Sequence, residues 1–491
     1  MVKESHLEGP ESGVASGMRE NLARLRERGV DPYPRRAERT HWSADIVRDY
    51  DTLEGRDVAV CGRVTAIRGH GKAVFADLED GKGRVQLFVK SDVVGEDRFS
   101  LWKHFDLGDI LGARGQVMKT KSGEVSVRVA SFDLLAKALR PLPEKWHGLR
   151  DKELRFRHRY LDLVANDETR RVFMLRSAIV SGIRRFMEER GFLEVETPIL
   201  QPTYGGAFAR PFTTHHHALN MPLYLRIADE LYLKRLIVGG LERVYEIGKD
   251  FRNEGMDRTH SPEFTQLELY QAYSDYEGMM EICESLVVRL ADELLGTRTV
   301  PWQGSTIDVT PPWRRLRVMD AVREAIGVEG AVTVETLGPA ARRAGLELTG
   351  AETFGVLVEK VLSDLVEPGL TEPTFLVDYP REISPLAKQT SGDPDLVERF
   401  EVFIAGLELG NSFTELNDPD EQRRRFEAQQ ALREGGDLEA QGMDEDFLQA
   451  LEHGMPPTGG LGIGLDRVIM LLTDSWSIRD IVLFPPMRPE D

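Results

Sequence analysis

The first apolar residues at helical spacing are Met18, Leu22 and Leu25, one stripe of an amphipathic helix that Gly29 and the Pro32/Pro34 pair bring to an end. Residues 1–15, ahead of that stripe, are expected to be disordered. From Asp57 the period changes to two. The runs DVAVCGRVTAI, AVFADLED, GRVQLFVK, ILGARGQVMKT and EVSVRVASFDLLA are separated by turn segments such as GHGK (69–72), EDGKG (79–83) and KSGE (121–124), and they predict five short strands. Val74, Ala76 and Leu78 alternate with Phe75 and Asp77, and Val85, Leu87 and Val89 alternate with Gln86 and Phe88. One set must face a core, which leaves Phe75, Gln86 and Phe88 outside. A long helix is predicted over 168–190, with Val172, Leu175, Ile179, Ile183 and Phe186 on one stripe. Strands and helices then alternate through residue 273, a mainly helical stretch covers 276–370, and further strands and a last helix follow.

Two later segments carry polar groups where a strand would otherwise pack. In FRNEG (251–255), Arg252 and Glu254 share one strand face. Across the next strand Phe264, Gln266, Glu268 and Tyr270 share a face, with Leu267 and Leu269 on the core side. A face bearing a cation, carboxylates and an aromatic ring packs poorly and suits a charged, planar ligand. In GGLGIGLDRVIMLLT (459–473), Gly460, Gly462 and Gly464 alternate along a strand before Asp466 and Arg467 open a buried helix. Such glycines let backbone or ligand approach closely, and a helix start offers amide donors to an anion. A dinucleotide fingerprint would need a following βα unit, and none follows here. Asn411, Phe413 and Glu415 share the face of another strand. The run His215, His216 and His217 does not make a zinc site, because consecutive strand residues point opposite ways and no cysteine cluster accompanies them.

With 491 residues, 41% of them hydrophobic, the chain has material for two or more domains. No run reaches the length of a membrane span, and MVKESHLEGPESG lacks the apolar core of a signal peptide. Cys61 and Cys283 read as free thiols, so a cytoplasmic location with no membrane partner is expected. The net charge of −19 argues against a non-specific nucleic-acid binder. It leaves room for one folded RNA bound through local patches, and the basic segment 138–160 reads either as such a patch or as a solvated linker. Five short strands with glycine-rich turns suit a barrel of the OB type, on which an outward Phe75 beside Gln86 offers a stacking platform to a single-stranded base.

At this point the segments resemble a known family. FRNEG with HSPEF (260–264) resembles motif 2 of class II aminoacyl-tRNA synthetases, GLGIGLDR resembles motif 3, and GFLEVETPIL (191–200), with Pro198, resembles motif 1, which builds the dimer interface. RYLDL (159–163), GGAFARPF (205–212), YLRIADELYLKRL (224–236), ISPLAK (383–388), GNSFTELND (410–418) and LFPPMRP (483–489) are similar to the bacterial-type lysyl-tRNA synthetases in particular. The likeness runs over nearly the whole chain from residue 20. It implies an α+β protein. A tail and helix (1–55) would precede an OB-fold anticodon-binding domain (56–140) and a linker (141–160). A class II catalytic domain (161–491) would follow, an antiparallel sheet flanked by helices with an insertion around 276–370. It further implies ATP, L-lysine and tRNA(Lys) as substrates, Mg²⁺ as cofactor, and a homodimer through motif 1.

The resemblance also assigns roles. Arg252 would bridge the substrate carboxylate and the ATP α-phosphate, a task for a guanidinium that forks two oxygens. Arg467 would cover the adenine opposite Phe264 and reach the terminal phosphates, with His260 and Glu254 adding nucleotide contacts. Glu401 and Glu408 would hold Mg²⁺, an ion that commonly takes one or two carboxylates plus substrate phosphates. A buried ammonium must be paired, and Glu268, Glu415 and the Tyr270 hydroxyl can cage the lysine side chain. Phe413 lies on that strand face, Glu230 would take the α-amino group with Gly206 at the same end, and Asn411 would help fix the carboxylate. Inward acids repel aspartate, which argues against the related aspartyl enzymes. By similarity Arg68, Phe75, Gln86 and Glu124 would contact anticodon bases. Two other readings compete. A ligase placing a lysine-type amino acid on a protein would lack the anticodon domain that 57–135 supplies, and a non-catalytic RNA-binding protein would not need the intact set of site residues.

Overall fold

The computed structural model describes residues 13–143, 149–328, 330, 332–350, 352–435 and 442–489. Residues 1–12, expected to be disordered, and 144–148 of the basic segment lie outside these. The chain divides into two compact units, one up to Asn166 and one from Asp167 on. The helix Arg159–Ala165 therefore belongs with the first unit, although the catalytic domain was expected to start at 161.

In the first unit, helix α1 (Gly13–Glu27) starts inside the stretch expected to be disordered. Ala15 is buried and carries the stripe of Met18, Leu22 and Leu25 one turn further back; so small a side chain marks a period weakly. Strands β1 (Asp57–His70), β2 (Ala73–Glu79), β3 (Arg84–Lys90), β4 (Ile110–Lys119) and β5 (Val125–Ala136) close into an OB-fold barrel in the order β1-β2-β3-β5-β4. Val74, Ala76, Leu78, Val85, Leu87 and Val89 all point into its core. The register sets Phe75 opposite Phe88 and Asp77 opposite Gln86 on the other face.

In the second unit, α2 (Asp167–Glu189) buries Ile179, Ile183 and Phe186, whereas Val172 and Leu175, earlier on the stripe, are half-buried. The sheet strands are β6 (Leu193–Glu194), β7 (Arg243–Phe251), β8 (Glu263–Ala272), β9 (Arg314–Arg317), β10 (Thr374–Pro380), β11 (Leu396–Ile404), β12 (Leu407–Thr414) and β13 (Thr458–Gly464). They lie in the order β9-β10-β11-β12-β13-β8-β7-β6, antiparallel except at the outermost pair on each side. Helices α3 (Glu230–Val238), α4 (Tyr276–Leu294) and α5 (Leu465–Leu472) flank it. Leu267 and Leu269 of β8 and Leu461 and Ile463 of β13 share one apolar core with α2, α4 and α5. Each such side chain contributes roughly 1.5–3 kcal/mol on leaving water. That burial anchors the sheet and turns the alternate residues of β8, β12 and β13 toward a cleft.

The insertion expected around 276–370 does not form one unit. Helix α4 buries Met279, Cys283, Leu286 and Leu290 in the main core, and β9 is a sheet edge. The residues after Arg317 pack into a second cluster, around Val322, Leu337, Val358 and Val361, which they share with Leu376, Val397 and Phe403 of the sheet. The apolar period of α4 is that of any buried helix and does not say what it packs against.

Candidate active site

The cleft face of the second unit holds a cavity of about 420 Å³, lined by every site residue expected outside the barrel. Its floor is β13. Gly462 lies between Glu268 of β8 and Asn411 of β12, and Gly460 lies between Tyr270 and Phe413. A methyl group on Gly460 would stand 2.0 Å from Glu415 Oε1 and 2.4 Å from the Tyr270 ring; one on Gly462 would stand 2.7 Å from the Gln266 amide. The glycines alternate because the side chains of both neighbouring strands lean over them.

At one end the cleft is acidic. Glu268 accepts hydrogen bonds from the Tyr270 hydroxyl at 2.7 Å and from the Gln266 amide. Burial, then the nearby Glu230 carboxylate, push its pKa up to about 7. Glu230, the first residue of α3, and Glu415 both clasp the ammonium of Lys234, which is fully buried in α3. Burial raises the pKa of both acids against the pull of Lys234. The two carboxylates in turn outweigh burial and keep Lys234 charged. Glu415 Oε1 has no hydrogen-bond partner among the described residues. Gly206, at φ +88°, brings its backbone against Ala228 and Glu230, a conformation that L side chains rarely adopt.

The other end is cationic. Strand β7 stops at Phe251, so Arg252 and Glu254 do not share a strand face as expected: Arg252 follows the last strand residue, and Glu254 lies exposed in the turn before Gly255. The Arg252 guanidinium sits 5.1 Å from the centre of the Phe264 ring, and its Nε is buried without a hydrogen-bond partner among the described residues. Arg467, early in α5, donates to the Glu408 carboxylate at 2.9 Å and to the Glu408 carbonyl at 2.7 Å. His260 stands 3.1 Å from Arg467 and is tied through its other ring nitrogen to Asp257.

Glu401 and Glu408 project from β11 and β12 into the same cavity. Burial pushes the Glu401 carboxyl up, Arg399 only partly offsets this, and Glu408 adds repulsion. Glu408 is only half-buried, and Arg467 more than offsets what burial adds, so its pKa falls. Two carboxylates lining one cavity suit a hard divalent cation. No group of three His, Cys, Asp or Glu side chains able to hold a metal occurs among the described residues. A cation here would complete its shell from elsewhere, and phosphate oxygens are the natural source.

On the barrel, Phe75 and Phe88 stack at 4.8 Å between ring centres, and Arg68, opposite Phe75, pairs with Asp77 at 2.7 Å. Gln86 accepts from Ser126, and Glu124 is exposed in the turn two residues before that serine. Arg68, Phe75 and Gln86 thus lie on β1, β2 and β3, and Glu124 lies in the turn that leads into β5. His215, His216 and His217 are exposed.

Two further residues belong to the site, Lys234 and Arg399, and neither stands out in the sequence. Lys234 sits four residues after Glu230, a spacing shared by ordinary exposed helix pairs. Arg399 sits two residues before Glu401 and so shares its face, a signal that was present in the strand period.

A family profile described as class II tRNA synthetases (D, K and N) matches residues 151–488, and one described as an OB-fold nucleic acid binding domain matches 58–135. A lysine–tRNA ligase of Moorella thermoacetica is 55% identical over 474 residues, 96% of this chain and 97% of that protein. One of Pelotomaculum thermopropionicum is 53% identical over 477 residues, covering 96% and 94%. One of Bacillus subtilis is 50% identical over 497 residues, covering 99% and 100%.

Proposed function

The chain belongs to the class II tRNA synthetases, among the lysine–tRNA ligases, and from that premise we propose how its residues divide the reaction. The activity is ATP-dependent attachment of lysine to tRNA. A lysine carboxylate oxygen attacks the ATP α-phosphorus, pyrophosphate leaves, and the terminal ribose hydroxyl of the tRNA then takes the lysyl group and releases AMP. The observation that carries the residue assignment is the acidic corner of Glu230, Glu268 and Glu415 facing Arg252 across a glycine floor.

Lysine lies with its side-chain ammonium against Glu268, Glu415 and the Tyr270 hydroxyl, along Phe413, and with its α-amino group at Glu230 and the Gly206 backbone. Its carboxylate meets Arg252 and Asn411. Arg252 also holds the α-phosphate, so one planar cation brings two anions together and stabilises the charge that builds between them. The adenine fits between Phe264 and Arg467, with Glu254 at its edge, and His260 with Arg467 holds the outer phosphates. Like its family the enzyme uses a divalent metal, and we infer Mg²⁺ at Glu401 and Glu408. Bound there with ATP, it would offset phosphate charge and polarise the phosphoryl oxygens.

The anticodon is read by Arg68, Phe75, Gln86 and Glu124. Base stacking on an aromatic ring is worth about 1–3 kcal/mol, so Phe75→Ala is expected to raise the KM for tRNA roughly tenfold in charging. Pyrophosphate exchange without tRNA should be unaltered; a fall in both would show that Phe75 acts through folding. The apolar side chains of motif 1, Leu193, Ile199 and Leu200, are exposed and support a homodimer through that segment. No helix among the described residues is long and apolar enough to cross a membrane. With both thiols unpaired, we place the enzyme in the cytoplasm.

The test is ATP–pyrophosphate exchange with each amino acid in turn. Exchange that depends on lysine supports the acidic-corner assignment. Exchange with a different amino acid removes Glu268 and Glu415 from their role.

A further inference from the structure

Arg399, on β11, has no task in the reaction as assigned above, yet its side chain lies largely buried on the cavity wall. The guanidinium makes four directed contacts. Its Nε donates to Asn411 Oδ1 at 3.0 Å, one Nη donates to Ser384 Oγ and to the Ile383 carbonyl, each at 2.9 Å, and the other Nη donates to Glu401 Oε1 at 2.7 Å. Its plane lies 4.5 Å from the centre of the Tyr379 ring, and the Tyr379 hydroxyl donates to the second Glu401 oxygen at 2.8 Å. Glu401 and Asn411 are paired across β11 and β12, so one side chain reaches both members of that pair.

The Asn411 contact decides an orientation. An arginine can only donate, so the amide oxygen of Asn411 must face Arg399 and its NH₂ must turn into the cavity. An amide turned that way is a hydrogen-bond donor, fit for a carboxylate and useless to an ammonium. We propose that Arg399 is a positioning residue: it locks the Asn411 NH₂ toward the amino-acid carboxylate and holds the Glu401 carboxylate beside it. The amino-acid end and one member of the acid pair thereby share one rigid fork. This inference rests on the placement of the lysine carboxylate given above.

Arg399→Lys would keep the charge but lose the planar fork. The test is calorimetric binding of L-lysine and of L-lysinol, which keeps both amines and lacks the carboxylate, to the full chain without ATP or metal. Arg399→Lys is expected to weaken lysine about tenfold, the size of one hydrogen bond to a charged group, and to leave lysinol within about twofold. Equal losses for both ligands, or no loss for either, would overturn the proposal. If the wild type itself fails to prefer lysine over lysinol, the placement of the carboxylate is wrong, whatever Arg399 does. Should Arg399→Lys melt early, Ser384→Ala removes one tie more gently and is expected to weaken lysine alone, by about threefold. In exchange assays of Arg399→Lys the Mg²⁺ midpoint should rise; an unchanged midpoint would overturn the part concerning Glu401.

Discussion

Glu268→Gln is expected to raise the KM for lysine in pyrophosphate exchange by on the order of 100-fold, the cost of leaving a buried charge without its partner. The KM for ATP should stay within about twofold, because uniform binding of the nucleotide is untouched. The reason is local. Glu268 shares its corner with the Tyr270 hydroxyl and the Gln266 amide, both donors that remain after the substitution, and only the negative charge is lost. Equal rises in both KM values would remove Glu268 from the lysine site.

The same residue sets a pH dependence. Its pKa stands at about 7, pushed up by burial and by Glu230. A carboxyl raised above its unfolded value adds stability that is present below the ordinary carboxylate range and lost as pH rises through about 7. Bound lysine reverses this by supplying a positive partner. The thermal shift produced by lysine is therefore expected to be larger at pH 8 than at pH 6, with the difference flattened in Glu268→Gln. A shift independent of pH in the wild type would mean that Glu268 does not meet the substrate.

The second large effect is expected at Arg252. Arg252→Ala should lower kcat/KM for exchange by about 10³-fold, the scale seen when a donor to transition-state charge is removed. Lysine binding without ATP should weaken much less, since Asn411 still meets the carboxylate. The guanidinium rests over Phe264 with its Nε buried and without a partner among the described residues, so its donors are placed before any anion arrives. A loss in lysine binding as large as the loss in rate would make Arg252 a ground-state ligand only.

The strand faces that carry this site were legible in the sequence because their period is two. Glu268 and Tyr270 had to oppose Leu267 and Leu269, and Asn411, Phe413 and Glu415 had to align. The turn at Glu254 was not legible: Asn253 and Gly255 end the strand early, and turn chemistry overrode the alternation. Lys234 was hidden for another reason. Its spacing from Glu230 is that of a solvated pair, and only the packing of α3 beneath Phe413 and Phe447 puts it in the interior. The two roles of α4 and β9 were hidden likewise, since a buried helix and a short edge strand carry no local mark of their partners.

The bare floor of the cleft has a consequence for how such an enzyme changes its preference. Between β8 and β12, strand β13 offers only main chain under the substrate, and main chain is indifferent to which amino acid lies on it. With lysine placed as proposed, choice is written on β8, on β12 with Glu415 just beyond its end, and at the start of α3, in side chains that can be exchanged one at a time. Exchanging acids for bases there would invert the preferred charge while the backbone that aligns carboxylate and phosphate stays as it is. Recognition and reaction are thus separable by inheritance: the first can drift while the second is kept.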